Sequence, residues 1–164
     1  MKKTLTTLAL TGALAAPAWA SSTHGAVHER AVLHADAMAI GHPGDPVLIR
    51  RTIRMSMLDA SDGVMAFDPD TLAIQTGETI RIVLTNEGSI AHEFVMATPE
   101  EIAEHRGEMR GGSDMDHDAA FAARVEAGQS RTLIWTFSNA GSYAFACLIP
   151  GHVEAGMRGR LTVG

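Results

Sequence analysis

The run YAFACLIPGHVEAGMRGRLTV, Tyr143–Val163, holds the only cysteine of a 164-residue chain. Read as an extended segment, SYAFAC (142–147) puts Tyr143, Phe145 and Cys147 on one face, because alternate side chains of a strand point the same way. Pro150-Gly151 then turns the chain. His152 and Met157 follow on the same loop, and RLTV (160–163) reads as a strand again. The run is thus a strand, a loop bearing a thiol, an imidazole and a thioether, and a returning strand.

The same pattern extends upstream. VLIRRTIRM (47–55) mixes β-branched residues with arginines. After the turn signal DASDG (59–63), VMAFDP (64–69) predicts a short strand stopped by Pro69. TLAIQ (71–75) and TIRIVLTN (79–86) follow, with Ile80, Ile82 and Leu84 on one face. AHEFVMA (91–97), AARVEAG (122–128) and SRTLIWTF (130–137) continue the series. TPEEIAEHRGEM (98–109) interrupts it. Thr98 suits a helix N-cap, Pro99 the first turn, and Glu100 and Glu101 the positive helix end. Gly111-Gly112 ends this helix, and GSDMDHD (112–118) reads as a polar loop. Seven or eight short strands with one short helical insertion predict an all-β sandwich.

Residues 1–20 read as a secretory signal peptide. Lys2 and Lys3 precede an apolar run too short to span a bilayer, and Ala18-Trp19-Ala20 fits a cleavage site after Ala20. Residues 21–46, rich in small residues and carrying His24, His28, His34 and His42, read as a flexible arm ahead of a domain over 47–164. Lys2 and Lys3 are the only lysines. Without them eleven arginines face nineteen acids, a net charge of −8. That balance argues against nucleic acid and against an anionic membrane surface as partners. No other segment is long and apolar enough to insert the mature chain in a membrane.

Exported proteins commonly pair their cysteines, and a single cysteine cannot pair within its own chain. A protected thiol is therefore expected at 147, buried or bound. Thiolate, thioether and imidazole together form a soft donor set that selects copper. Two histidines, one cysteine and a weak axial methionine define an electron-transfer copper site. The second histidine must come from a strand beside the one ending at Cys147. His92, at the start of AHEFVMA, fits. The expected primary site is His92, Cys147 and His152 in a plane with Met157 axial. Zinc, the rival metal, prefers a fourth histidine, cysteine or carboxylate to a methionine. A dinuclear copper site would call for a second cysteine in the loop.

Thr79–Phe94 and Trp135–Val163 resemble the cupredoxins, the blue or green copper proteins. The Cys-x4-His-x4-Met loop is similar to that of rusticyanin. AHEFVMATPEEIAEH, the Met- and His-bearing helix and loop, and FACLIPGHVEAGM together look closest to periplasmic cupredoxins of bacterial copper tolerance. The resemblance covers 47–164. It implies a Greek-key sandwich, a mononuclear type 1 copper site cycling between Cu(I) and Cu(II), and a backbone N–H donated to the cysteine sulfur, with Asn86 or its neighbours in that outer shell.

Methionines and histidines recur elsewhere. Met55, Met57 and Met65 cluster early in the strands. His105 and Met109 are four apart on the predicted helix and share a face. Met115 and His117 follow on the polar loop, and thioether with imidazole suits Cu(I). A second copper site at His105, Met109, Met115 and His117 is the expectation. The leading functional reading is a periplasmic copper-binding protein of copper tolerance, with copper ions and a copper-handling or redox protein as partners. The alternative is a soluble electron carrier between respiratory proteins. An enzyme would call for an additional catalytic copper cluster, and the chain has no set of His-x-His pairs.

Overall fold

Alternating apolar residues form two facing sheets because only one face of each has to meet the core. The computed structural model describes residues 38–60, 62–110 and 119–164. The first sheet contains β1 (His42–Pro43), β2 (Ile49–Asp59), β3 (Met65–Asp68), β5 (Glu78–Asn86) and β8 (Ser130–Phe137) in the order β1-β8-β5-β2-β3. The second contains β4 (Thr71–Ile74), β6 (His92–Ala97), β7 (Ala122–Val125), β9 (Gly141–Ala146) and β10 (Arg158–Val163) in the order β4-β10-β9-β6-β7. β2 runs parallel to β5 and β4 parallel to β10; the other pairs are antiparallel. The predicted all-β sandwich is the fold found.

The expected inward faces meet between the sheets. Ile80, Ile82, Leu84, Leu133, Trp135 and Phe137 from the first sheet pack in one cluster with Phe94, Tyr143, Phe145, Leu161 and Val163 from the second. Phe67, Phe94 and Phe145 interlock, with Phe67 edge-on to both partners at ring separations of 5.8 and 5.3 Å. Met55 and Met57 are 1% and 0% exposed in this core, and Met96 is likewise buried. They are packing residues, which flexible thioethers suit.

The helical insertion is α1 (Pro99–Arg110). It starts with reciprocal capping: Glu101 N–H donates to Thr98 Oγ1 at 3.2 Å, and Thr98 N–H donates to Glu101 Oε2 at 2.9 Å. Ile102 packs with Val95, Ala97, Leu148 and Val153 in a smaller cluster on the second sheet's outer face. That cover explains why all six residues of β6 are buried, where an uncovered strand would alternate.

The start of the folded part differs from the expectation. The sandwich begins ahead of residue 47. β1 extends the first sheet along β8, pairing His42 with Thr136 and Pro43 with Trp135. Ile40 is 0% exposed in the core. Tyr143 O–H and Asn139 Nδ2 both donate to the Ala39 carbonyl, at 3.0 and 2.9 Å. Ile40, the partly buried Met38 and a two-residue strand are enough to dock a segment whose composition reads as a loop. The signal-peptide reading and His24, His28 and His34 lie outside the described residues. Among those described, no helix is long and apolar enough to cross a membrane.

Candidate metal centre

β6 and β9 are neighbours, with Val95 opposite Ala146. His92 opens β6 and Cys147 directly follows β9, so strand pairing alone brings them to one end of the second sheet. The 147–157 loop then returns over that end. Cys147 N–H donates to the Met157 carbonyl at 3.0 Å, and Met157 N–H donates to the His152 carbonyl at 3.0 Å. Gly151 (φ 92°) and Gly156 (φ 109°) take the left-handed turns that let the loop close this tightly. The loop is also held from outside: Met65 N–H donates to the Ala155 carbonyl at 2.9 Å, and Arg106 pairs with Glu154 at 2.7 Å.

His92, Cys147 and His152 converge. One donor atom from each lies within 4.8 Å of the others, and all three residues are buried. Cys147 Sγ is 3.3 Å from His152 Nδ1, and the two Nδ1 atoms of His92 and His152 are 3.3 Å apart. Met157 is 0% exposed in the core cluster that includes Cys147. Two imidazole nitrogens and one sulfur aimed at a common point suit a borderline-soft ion.

The sulfur is tuned by its surroundings. Burial pushes the Cys147 thiol up to about 11, against hydrogen bonds from the Glu93 and Ile149 backbone that favour the thiolate. Burial also lowers the pKa of His152, and the nearby His92 lowers it further, which keeps the ring neutral and its lone pair available. In the metal-free protein the raised thiol pKa stabilises the fold fully below the ordinary value of 9.0, and that contribution is lost as pH rises through about 11. The difference corresponds to ~3 kcal/mol. Urea unfolding of metal-free protein between pH 8 and 11.5 should show this loss in the wild type and lack it in Cys147→Ala.

One expectation about the outer shell is corrected. The N–H donated to Cys147 Sγ belongs to Glu93, at 3.3 Å. Asn86 instead builds the loop ahead of His92. It is 0% exposed; its Nδ2 donates to the Ile90 and Val125 carbonyls at 2.8 and 2.9 Å, and its Oδ1 accepts from Gly88 N–H at 2.9 Å. Sequence reading also missed Asp59. His92 Nε2–H donates to Asp59 Oδ1 at 3.1 Å. Ser89 donates to the same carboxylate through both backbone and hydroxyl, and that hydroxyl is the main reason the carboxyl sits below its usual range. Asp59 lies inside a segment with a strong turn signature, and nothing local marks it as a partner of a residue 33 positions away.

The second expected site is only partly in view. His105 lies on α1, and its Nδ1 is buried without a hydrogen-bond partner among the described residues. The side chain of Met109, and Met115 and His117, lie outside the described residues.

Residues 54–164 match the model for "Copper binding proteins, plastocyanin/azurin family". The chain is 45% identical to the copper-resistant cuproprotein CopI of Rubrivivax gelatinosus, over 92% of its own length and 89% of the relative's. It is 34% identical to the protein of the same name from Pseudomonas aeruginosa PAO1, over 79% of this chain and 84% of that one. Among solved structures, reduced auracyanin of Roseiflexus castenholzii superposes with a TM-score of 0.58 at 25% identity, covering 71% of this chain and 98% of the other. Auracyanin B superposes with a TM-score of 0.61 at 23% identity over 78% and 96%, a likeness of fold.

Proposed function

The chain belongs to the plastocyanin/azurin family of copper-binding proteins, and from that premise we propose that it is a periplasmic cupredoxin of copper resistance with one mononuclear type 1 site. Its ligands are His92, Cys147, His152 and Met157. The observation that carries the assignment is the buried convergence of two Nδ1 atoms and one sulfur. Bound copper supplies a one-electron couple. The protein's part is to hold two imidazoles and one buried sulfur together, with a thiol that gives up its proton when the metal binds, to shield them from water, and to limit rearrangement through the hydrogen-bonded loop. Residues 1–20 act as the export signal, cleaved after Ala20. The role is one of binding rather than catalysis.

A Met/His site at His105, Met109, Met115 and His117 is part of the same proposal. The unpartnered Nδ1 of His105 supports it. The electron-carrier reading uses the same primary ligands. The 8% exposure of His152, beside exposed Pro150 and partly exposed Ile149, favours it by offering a path for electrons through the imidazole edge.

Copper titration of the mature protein, with growth of a deletion strain on copper, separates these readings. Copper resistance requires restored growth by the wild type and failure of Cys147→Ser to restore it. Two tightly bound ions, falling to one in His105→Ala/Met109→Ala, support the second site. A single ion with unchanged copper tolerance and rapid exchange with a cytochrome overturns the resistance role in favour of the carrier.

A further inference from the structure

The two histidines of the site are not equivalent. His152 keeps a small 8% exposure, whereas His92 is 0% exposed and backed by a carboxylate. That carboxylate comes from the opposite sheet: Asp59 ends β2, and His92 opens β6. Asp59 does not depend on His92 for its position. Ser89 N–H and Oγ–H hold it at 2.8 and 2.6 Å, and a side chain at Gly88 would overlap the same carboxylate group. The carboxylate is thus held by contacts of its own, and the imidazole meets it there. An acceptor at Nε2 puts the ring proton there and leaves the Nδ1 lone pair facing Cys147 and His152.

The geometry points to Asp59 as a positioning residue that fixes the His92 tautomer and, through its negative charge, biases the site toward Cu(II). A carboxylate one hydrogen bond behind a ligating imidazole makes that ligand more basic, which favours the more highly charged ion. This rests on the ligand assignment proposed above. In metal-ion sites generally, loss of such a partner costs about 10–100-fold in metal affinity.

The test compares wild type, Asp59→Asn, Asp59→Ala and Ser89→Ala. In metal-free protein, long-range proton–nitrogen NMR of the His92 ring should show the Nε2–H form in wild type and a tautomer mixture in Asp59→Ala. Cu(II) affinity should fall about 10–100-fold in Asp59→Asn with a smaller change for Cu(I). Each tenfold change in that ratio raises the reduction potential by about 59 mV. Ser89→Ala keeps the charge and should shift the ratio by clearly less than the roughly 10–100-fold expected when the carboxylate is lost. A purely structural role would make Ser89→Ala as damaging as Asp59→Asn, and that result overturns the proposal. So does an unchanged tautomer and an unchanged Cu(II)/Cu(I) ratio in Asp59→Asn, which preserves side-chain shape if Asp59→Ala does not fold. The tautomer is read without copper. If wild type lacks a Cys147-dependent copper band, the ligand assignment fails. If that band is present and the Asp59 variants behave as wild type, only the present inference fails.

Discussion

Cys147→Ser should abolish the strong visible absorption of the copper-loaded protein and weaken Cu(II) binding by more than the roughly 100-fold that outer-sphere changes reach. The substitution is nearly isosteric, so it isolates the chemistry. A serine hydroxyl remains protonated where a metal can draw the proton from a thiol, and its oxygen is a hard donor. The pocket stays in place around it: Glu93 N–H still points at position 147, and the Cys147 and Met157 backbone bonds do not involve the side chain. The metal-free variant should therefore fold normally while losing both colour and tight copper binding. Absorption spectra and competitive copper titration read the result. Retention of the band in Cys147→Ser would remove the thiolate from the site.

Gly159→Ala should damage the fold severely, costing about 3 kcal/mol or more, at the upper end of overpacking effects. Gly159 lies opposite Phe145 in the β9–β10 ladder. A Cβ there would overlap the Phe145 ring and stand 2.5 Å from the Asp70 carbonyl oxygen. Neither neighbour can yield cheaply. Phe145 is 0% exposed and wedged between Phe67 and Phe94, with ring separations of 5.3 and 5.5 Å. The Asp70 carbonyl accepts from Arg160 N–H at 2.9 Å and helps join β10 to its neighbour. The damage should reach the site, since Met157 lies two residues before Gly159. The check is the urea midpoint of metal-free protein together with copper affinity. A midpoint within about 0.5 kcal/mol of wild type, the range of ordinary surface substitutions, would show that the strand shifts freely there.

What could be read directly in the sequence was local. Cys147, His152 and Met157 lie on one loop, so their spacing carries the chemistry without knowledge of the fold. His92 could be found because a lone histidine opens a strand of strong β character. The helix was marked by Thr98 and the glutamates after it. Features created by pairing between distant strands were hidden. Asp59 reaches His92 only because the two sheets face each other, and Glu93 becomes the sulfur's donor only because β6 pairs with β9 in that register. Ile40 carried too little signal, since the short ADAMAI run before the glycines and prolines has no clear strand or helix period.

The docking of β1 also places the start of the described sandwich relative to the ligands. It joins β8 at Trp135 and Thr136, whereas Asn86, at the far end of the paired β5, borders the His92 loop through the Ile90 carbonyl. The first strand of the sandwich thus docks at the pole away from the ligands. A tether fixed at β1 itself would therefore sit at the pole opposite the ligands and leave the ligand end free for contact with whatever delivers or removes the ion.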